Sequence, residues 1–209
     1  STIKTVVDTW YQNNLSSYSA YIADAIYCND REVVDVTYKD GANTVTYNGN
    51  GIGKSYTTYA SYKRNHIDHN PTLKCTNNND KFTVSNTLGN GALTNPIGLA
   101  TTDEIVMSGA NAYDHATNTH ITNNSYYLYP KGGNWYYWTM TPSHYYYNKA
   151  SGGGFAVVDR VHDDGAVGTY YANFNNAVRP VISLKSNAIS GGDGTVGNPF
   201  YVNEEYSAS

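Results

Sequence analysis

The sequence predicts an α+β fold: one domain with helices early in the chain and a small, twisted, mostly antiparallel sheet with long loops late in it. Helical periodicity is confined to two segments before residue 110, and short β-like runs dominate after residue 125. Glycine-rich turns separate these runs. No internal repeat or linker divides the 209 residues, so residues 1–209 are interpreted as a single domain.

Two helices are expected. The first covers residues 2–15, with Ser1 or Thr2 as its N-cap. Its apolar residues recur with helical spacing at Ile3, Val6, Val7, Trp10 and Tyr11. The second helix begins near Thr101, because Thr101 and Glu104 have the spacing of a capping box. Gly109 is its expected end.

The β-like runs predict a hairpin followed by the late sheet. Residues 33–38 and 44–47 flank the turn residues 39–43, which indicates the hairpin. The late strands are expected at residues 126–129, 135–141, 155–158, 167–171 and 178–184, with a closing strand at 200–202. Glycine-rich stretches separate them at residues 131–134, 151–154, 163–165 and 191–194.

The composition excludes some partners and favours others. The formal net charge is −4, which argues against a nucleic-acid-binding surface. No apolar run approaches the length of a membrane span, so this fragment is not expected to insert into a membrane. The chain holds 22 Tyr and 26 Asn but only 14% charged residues. Tyr and Asn form contact surfaces at low entropy cost, as antibody loops do.

Two cysteines, Cys28 and Cys75, leave two interpretations open. They are either two buried thiols or a single disulfide in an exported protein. The low Lys and Glu content and the Asn, Thr and Tyr bias favour the exported protein. We therefore expect a Cys28–Cys75 disulfide and an extracellular location.

Metal sites are weakly indicated. His66 with Asp68 and His69, and Asp114 with His115 and His120, offer ligands, but spacing fixes no third one, so solvated loop histidines are favoured. Residues 77–80 and 193–194 lack the alternating ligands of a calcium loop and predict turns instead. We expect no functional metal and no cofactor.

The sequence also gives little indication of catalysis. The sequence contains no nucleophile elbow, no HExxH and no P-loop. Asp159, Asp163 and Asp164 permit a paired-acid glycosidase site in principle, but their spacing alone does not indicate one. We expect no catalytic residue.

Residues 135–176 carry the strongest functional signal, a concentration of Tyr, Asn and His. Tyr145, Tyr146 and Tyr147 are consecutive, and they cannot all face a core from one strand, because successive side chains alternate between its faces. Exposed, clustered aromatic residues mark a binding surface. The alternative is a Tyr-rich sheet that packs internally. The predicted ligand-binding residues are Tyr136, His144, Tyr145, Tyr146, Tyr147, Asn148, Asp159, His162, Tyr170, Tyr171, Asn173 and Asn175.

Several motifs, spread over most of the chain, resemble one family. They are Asp8-Thr9-Trp10-Tyr11, Cys28-Asn29-Asp30-Arg31, Lys74-Cys75-Thr76, Gly89-Asn90-Gly91-Ala92-Leu93-Thr94, Tyr137-Trp138-Thr139-Met140-Thr141-Pro142-Ser143 and Val178-Arg179-Pro180-Val181-Ile182-Ser183-Leu184-Lys185. Together they are similar to the variable proteins of diversity-generating retroelements, exported by gut bacteria. Some of these resemble the body of minor type IV pilins.

The resemblance implies a C-type-lectin-like fold and a ligand-binding rather than catalytic role. It places a fixed framework at Trp138-Thr139-Met140 and at Arg179-Pro180-Val181, with variable positions between them. Diversification of this kind does not produce Lys, Glu, Gln, Met or Trp, and between Ser143 and Val178 only Lys149 belongs to that set. Lys149 is therefore expected to be fixed.

The resemblance also implies a partner and a location. We expect a protein or cell-surface ligand at the bacterial surface, and a pilus or other surface anchor reached through a segment missing from this chain. Two alternatives remain: a secreted, carbohydrate-active enzyme on a related scaffold, and a structural pilin or surface subunit. Trp138 and Arg179 are expected to belong to the framework and not to the binding site. The donors of Arg179, which lies in an apolar run, are expected to bind carboxylates or carbonyls in a buried pair, with Asp103 or Glu104 as the partner.

Overall fold

A computed structural model describes residues 2–49, 56–114, 119, 121–130, 135–148, 150 and 152–202. Its α-helical segments are α1 (Thr2–Asn14), α2 (Ala60–Tyr62), which continues as a π-helical turn at Lys63–Ile67, and α3 (Thr102–Met107). Short 3₁₀ turns occupy Ser16–Tyr21, Asn78–Asp80 and Ser186–Ala188. None of the helices in these ranges has the length and hydropathy that crossing a bilayer requires.

The strands of the first half are short. They are β1 (Ile22–Ala23), β2 (Tyr27–Cys28), β3 (Val36–Asp40), β4 (Asn43–Tyr47), β5 (Tyr56–Thr58), β6 (Lys81–Phe82) and β7 (Gly98–Leu99). The second half holds the longest strands, in β8 (Tyr137–Asn148), β9 (Gly153–Val161), β10 (Val167–Tyr171), β11 (Pro180–Val181), β12 (Ser183–Leu184), β13 (Ile189–Gly191) and β14 (Tyr201–Val202). The α+β class is therefore confirmed.

The predicted helices are present. α1 matches the predicted segment and buries Val7 and Tyr11; Ser1, a proposed cap, lies outside the described residues. At α3 the Thr101 hydroxyl accepts from the Glu104 amide, and the Glu104 carboxylate accepts from the Thr101 amide, so the capping box is confirmed. α2 was not predicted, because its sequence has no helical apolar period.

The main sheet has four antiparallel strands in the order β10-β9-β8-β5. Between Trp138 and His144 the register of β8 against β9 shifts, and Pro142 lies in this irregular part of the strand, where a missing amide donor is tolerated. Five two-stranded sheets surround it in the described residues: β1-β12, β2-β6, β3-β4, β7-β11 and β13-β14.

Several strand predictions need correction. Residues 126–129 form a turn instead of a strand. Residues 178–184 are divided into β11 and β12, because these pair with two different partners, β7 and β1. β8 and β9 are longer than predicted, and the glycine-rich stretch at residues 131–134 and Ser151 lie outside the described residues.

Two hydrophobic clusters cover opposite faces of the main sheet. Tyr137 belongs to the cluster that packs against Ile105 of α3, and Trp138 belongs to the cluster that contains Val7 and Tyr11 of α1. Since neighbouring side chains of a strand point to opposite faces, the sheet lies between these two helices. Trp138 is buried, which agrees with its predicted place in the framework.

The disulfide between Cys28 and Cys75 is confirmed, with a Cα–Cα distance of 5.8 Å. It links β2 to the segment that follows α2. Nearby, Arg64 Nε and Nη2 donate to the carboxylate of Asp103 at 3.0 and 2.9 Å, and Nη1 donates to Asp30 at 2.6 Å. This polar group joins the disulfide region to the first turn of α3.

For Arg179, the expected burial and acidic partner were wrong, whereas a carbonyl partner is confirmed. Arg179 is exposed, its Nη1 donates to the carbonyl of Leu128 at 2.6 Å, and its Cζ lies 4.8 Å from the ring centroid of Tyr137. The run around it is not one buried strand but two short, partly buried strands, which belong to two different sheets. The guanidinium therefore reaches solvent, and Asp103 is paired with Arg64 instead.

Candidate binding surface

The β8–β9 hairpin divides the three consecutive tyrosines between two faces. Tyr146 lies opposite Phe155 on β9 and Tyr56 on β5, whereas Tyr145 lies opposite Ala156. Tyr145 and Tyr147 therefore point to one face of the hairpin and Tyr146 to the other. Tyr147 is 45% exposed, which confirms that at least one of the three is exposed.

An aromatic group, here called the Tyr146 cluster, occupies the face of the hairpin to which Tyr146 points. Its members are Tyr56, His144, Tyr146, Phe155 and Tyr171. The hydroxyls of Tyr146 and Tyr171 are 2.6 Å apart, and the ring of Phe155 lies 5.1 and 5.2 Å from theirs. His144 stacks 5.8 Å from Tyr56. Tyr47 of β4 extends the cluster by stacking on Tyr56 at 3.7 Å.

A second group, the Arg160 cluster, consists of Tyr136, Arg160, His162 and Tyr170. The Cζ of Arg160 lies 4.1 Å from the ring centroid of Tyr136 and 3.8 Å from that of Tyr170. His162 contacts Tyr136 edge-on, and the centroids of the two rings are 5.1 Å apart. Arg160 Nη1 also donates to Oδ1 of Asn176 at 3.3 Å.

The two clusters lie on opposite faces of the main sheet, because Tyr170 pairs with Val158 and Tyr171 with Val157, whose side chains alternate in β9. They meet around the end of β10, which is an edge strand of this sheet. The rings of Tyr170 and Tyr171 are 5.7 Å apart, and Phe174 contacts both, at 4.9 and 6.0 Å. Asn173 and Asn175 flank Phe174 and are exposed. Ring contacts and the Arg160 contacts therefore run without a break from His144 to His162, and they join side chains from separate segments of the chain.

Most of the predicted binding residues are half-buried rather than exposed, because their rings pack against one another. This holds for Tyr136, His144, Tyr145, Tyr146, His162, Tyr170 and Tyr171. Tyr145 lies across Gly154, where a Cβ atom would come within 1.9 Å of its hydroxyl oxygen. The side chain of Asn148 and all of Lys149 lie outside the described residues. The surface therefore consists mainly of partly exposed rings. Its exposed predicted members are Tyr147, Asn173 and Asn175.

Asp159 does not belong to this surface, and its prediction as a ligand-binding residue was wrong. Its exposure is 0%. Oδ2 accepts from the hydroxyl of Thr102 at 2.8 Å, and Oδ1 lies 3.2 Å from Nε2 of His66. The alternation of β9 places Asp159 on the same face as the buried Val157 and Val161, toward α3. A carboxylate in this position holds the sheet to the helices.

The predicted loop histidines are placed differently from one another. His66 is buried at 1% exposure, so the expectation of a solvated side chain was wrong for it, while His69 is exposed. His115 and His120 lie outside the described residues. Within the part of the chain that the structure describes, no three His, Cys, Asp or Glu side chains are grouped to hold a metal ion.

The ionisation of the surface is set by contact and burial. The hydrogen bond with Tyr171, followed by burial, raises the pKa of Tyr146 to about 12, and burial raises the pKa of Tyr56 as well. Burial lowers the pKa of Arg160. Both tyrosines are therefore neutral at physiological pH, and the Tyr146 cluster offers uncharged hydroxyls and ring faces.

Two clefts have linings that do not include the predicted binding residues. One is polar and contains Asp30, Arg64 and Asp103, whose charges already pair with one another; its volume is about 390 Å³. The other, of about 400 Å³, is mostly apolar and is bordered by Leu99 and Trp138. Asp159, one of the candidate acids for glycosidase chemistry, is completely buried and lines neither cleft.

Sequence reasoning missed five members of the surface: Tyr47, Tyr56, Phe155, Arg160 and Phe174. Tyr47 and Tyr56 come from the first half of the chain, and only the pairing of β5 with β8 brings them close. Phe155, Arg160 and Phe174 lie within the tyrosine-rich segment, and their aromatic or cationic side chains could have indicated them as binding residues. No family model matches the chain, and neither the curated proteins nor the solved structures contain a significant match.

Proposed function

We propose that this chain is a ligand-binding display domain, and that the joined Tyr146 and Arg160 clusters are its binding surface. One observation carries the proposal: the unbroken path of contacts from His144 through Tyr171 and Tyr170 to His162. It draws on several separate segments. Rigid aromatic side chains with a flanking Asn-rich loop are the composition of antibody-like contact surfaces.

The proposal extends to fold family, ligand and location. The framework of Trp138 is buried while the side chains of the neighbouring hairpin reach the surface, which suits a C-type-lectin-like variable protein. The confirmed disulfide suits an extracellular protein. We accordingly assign the domain to the bacterial cell surface, where a pilus or other anchor would present it to a protein or cell-surface ligand.

The test uses the most exposed members of the surface. Tyr147, Asn173, Phe174 and Asn175 are replaced together by Ser. The matched control replaces Val6, Trp10, Tyr18 and Leu73, which are similarly exposed elsewhere. Exposed substitutions usually change the free energy of unfolding by no more than about 0.5 kcal/mol each. Both variants should therefore keep a cooperative thermal transition.

Binding is then measured on arrays of glycans and of host and bacterial surface proteins. A ligand found with the unmodified domain should be lost by the surface variant and kept by the control variant. Loss of binding only in the control, or unfolding of the surface variant, would contradict the proposal.

A second candidate is a structural subunit, favoured by the β13–β14 hairpin. It exposes apolar side chains, among them Phe200 at 61%, Tyr201 at 53% and Val202 at 54%. Exposed apolar groups of this kind are typical of contact surfaces between proteins. This function predicts reversible self-association in sedimentation velocity that Phe200→Ser abolishes.

A further inference from the structure

The Arg160 cluster contains a cation that the described residues do not neutralise. Arg31 and Arg64 form ion pairs with carboxylates. Arg160 has no carboxylate within 4.0 Å among the described residues, and Asp163 acts on it only at longer range. The buried surroundings lower the pKa of Arg160, which shows that desolvation of its charge is not offset.

The donors of Arg160 are also largely unused. A guanidinium has five N–H donors, and the described residues offer it one acceptor, Oδ1 of Asn176. Its Nε has no hydrogen-bond partner within the described ranges. The same is true of Nδ2 of Asn176, whose amide lies beside the guanidinium. Buried donors without acceptors cost free energy, which an incoming acceptor recovers.

The two tyrosine rings determine which chemistry fits. The ring centroids of Tyr136 and Tyr170 lie 4.1 and 3.8 Å from Cζ, separations at which a guanidinium packs its flat side against a ring. A ligand is left with the edge, where the N–H groups lie in one plane. A carboxylate matches this edge with two coplanar oxygens, whereas a neutral amide brings no charge to it. Phe174 and Tyr170 supply an apolar wall for the group that carries the acid.

We infer that Arg160 and Asn176 form a carboxylate subsite of the binding surface, and that the ligand bears an acidic group next to a flat apolar or ring-shaped body. This inference rests on the proposed function, since it names the chemistry of the partner at that surface.

The experiment follows the Nε–H resonance of Arg160 by NMR during titration with benzoate, and in parallel with benzamide and inorganic phosphate. Benzoate should cause a saturable shift at Arg160 and at Asn176, and it should bind about tenfold or more tightly than benzamide. Arg160→Gln should abolish the saturable shift at the remaining neighbours. Arg179→Gln is the matched control, because Arg179 also lies over a tyrosine ring but is exposed.

Several outcomes would overturn the inference: equal binding of benzoate and benzamide, tighter binding of phosphate, or shifts spread over the surface arginines and lysines. Arg160→Lys, which keeps the charge, provides a second variant if Arg160→Gln does not fold. The surface test separates the two proposals. If the surface variant loses the ligand but the unmodified domain does not bind benzoate, only the subsite is refuted. If benzoate binds at Arg160 but the surface variant still binds the ligand, the proposed binding surface is refuted.

Discussion

Arg64 and Arg179 are the sharpest contrast at the scale of single residues. Arg64 donates to two carboxylates, and Asp103 also accepts from the amide of Thr72 at 2.8 Å. Removal of one partner from a buried ion pair leaves an uncompensated charge. We expect Arg64→Ala to lower the free energy of unfolding by about 3 kcal/mol, and Arg179→Ala by less than about 1 kcal/mol, as measured by urea denaturation. Equal effects would contradict the assignment of the polar centre.

Asp159 gives a second residue-scale prediction. Its carboxylate meets Thr102 and His66 at complete burial, so Asp159→Ala should lower the free energy of unfolding by about 3 kcal/mol. Asp163→Ala, in the half-buried turn after β9, is the control and should have little effect. If thermal denaturation shows a stable Asp159→Ala protein that has lost only ligand binding, then Asp159 belongs to the site after all.

At the scale of elements, local signals were sufficient and long-range ones were not. The capping box of α3 and the period of α1 depend on residues within one or two turns, so the sequence predicted both. α2 depends on packing of Tyr62 against His66 and His144, at ring distances of 4.9 and 5.5 Å. The contact with His66 is local, but the contact with His144 joins distant parts of the chain and leaves no period in the sequence. The same reason explains the split of residues 178–184 into two strands.

The disulfide is the element-scale constraint with a calculable effect. Cys28 and Cys75 are separated by 47 residues, and the closure of such a loop in the unfolded chain stabilises the fold by about 4 kcal/mol in the chain-entropy model. Replacement of both cysteines by Ser should lower the free energy of unfolding by up to this amount. Reductant should destabilise the unmodified protein and leave the double variant unchanged. Identical urea curves for the two proteins would contradict it.

At the scale of the molecule, the candidate surface was predictable in composition but not in shape. Alternation predicted that Tyr145–Tyr147 cannot all be buried, and Tyr147 is exposed. Alternation also predicts that Asp159 is buried, but only once it is known which face of β9 packs against α3. The contribution of Tyr56 depends on the register of β5 against β8, which is a tertiary property.

The abundance of tyrosine gives the whole molecule an alkaline limit. Burial is the main cause that raises the pKa of Tyr27 and of Tyr38 to about 12, and it raises the pKa of Tyr62 and Tyr126 too. Below pH 10, the pKa of an exposed tyrosine, these side chains are neutral in both states. Between pH 10 and 12 the unfolded chain releases their protons while the folded chain retains them. Stability is therefore complete below about pH 10 and falls as the pH rises toward 12.

Each retained proton makes the folded state less favourable as the pH rises, and these contributions add over several buried tyrosines. We expect cooperative unfolding within this pH window, with circular dichroism and tyrosinate absorbance changing together. Tyr27→Phe should be less stable at neutral pH, because hydrogen bonds to the carbonyls of Pro96 and Val181 are lost. Its stability should nevertheless fall less steeply above pH 10, because one buried proton no longer has to be released. A full complement of tyrosinates in a protein that keeps its native dichroism would show that these rings are accessible, contrary to their packing in the structure.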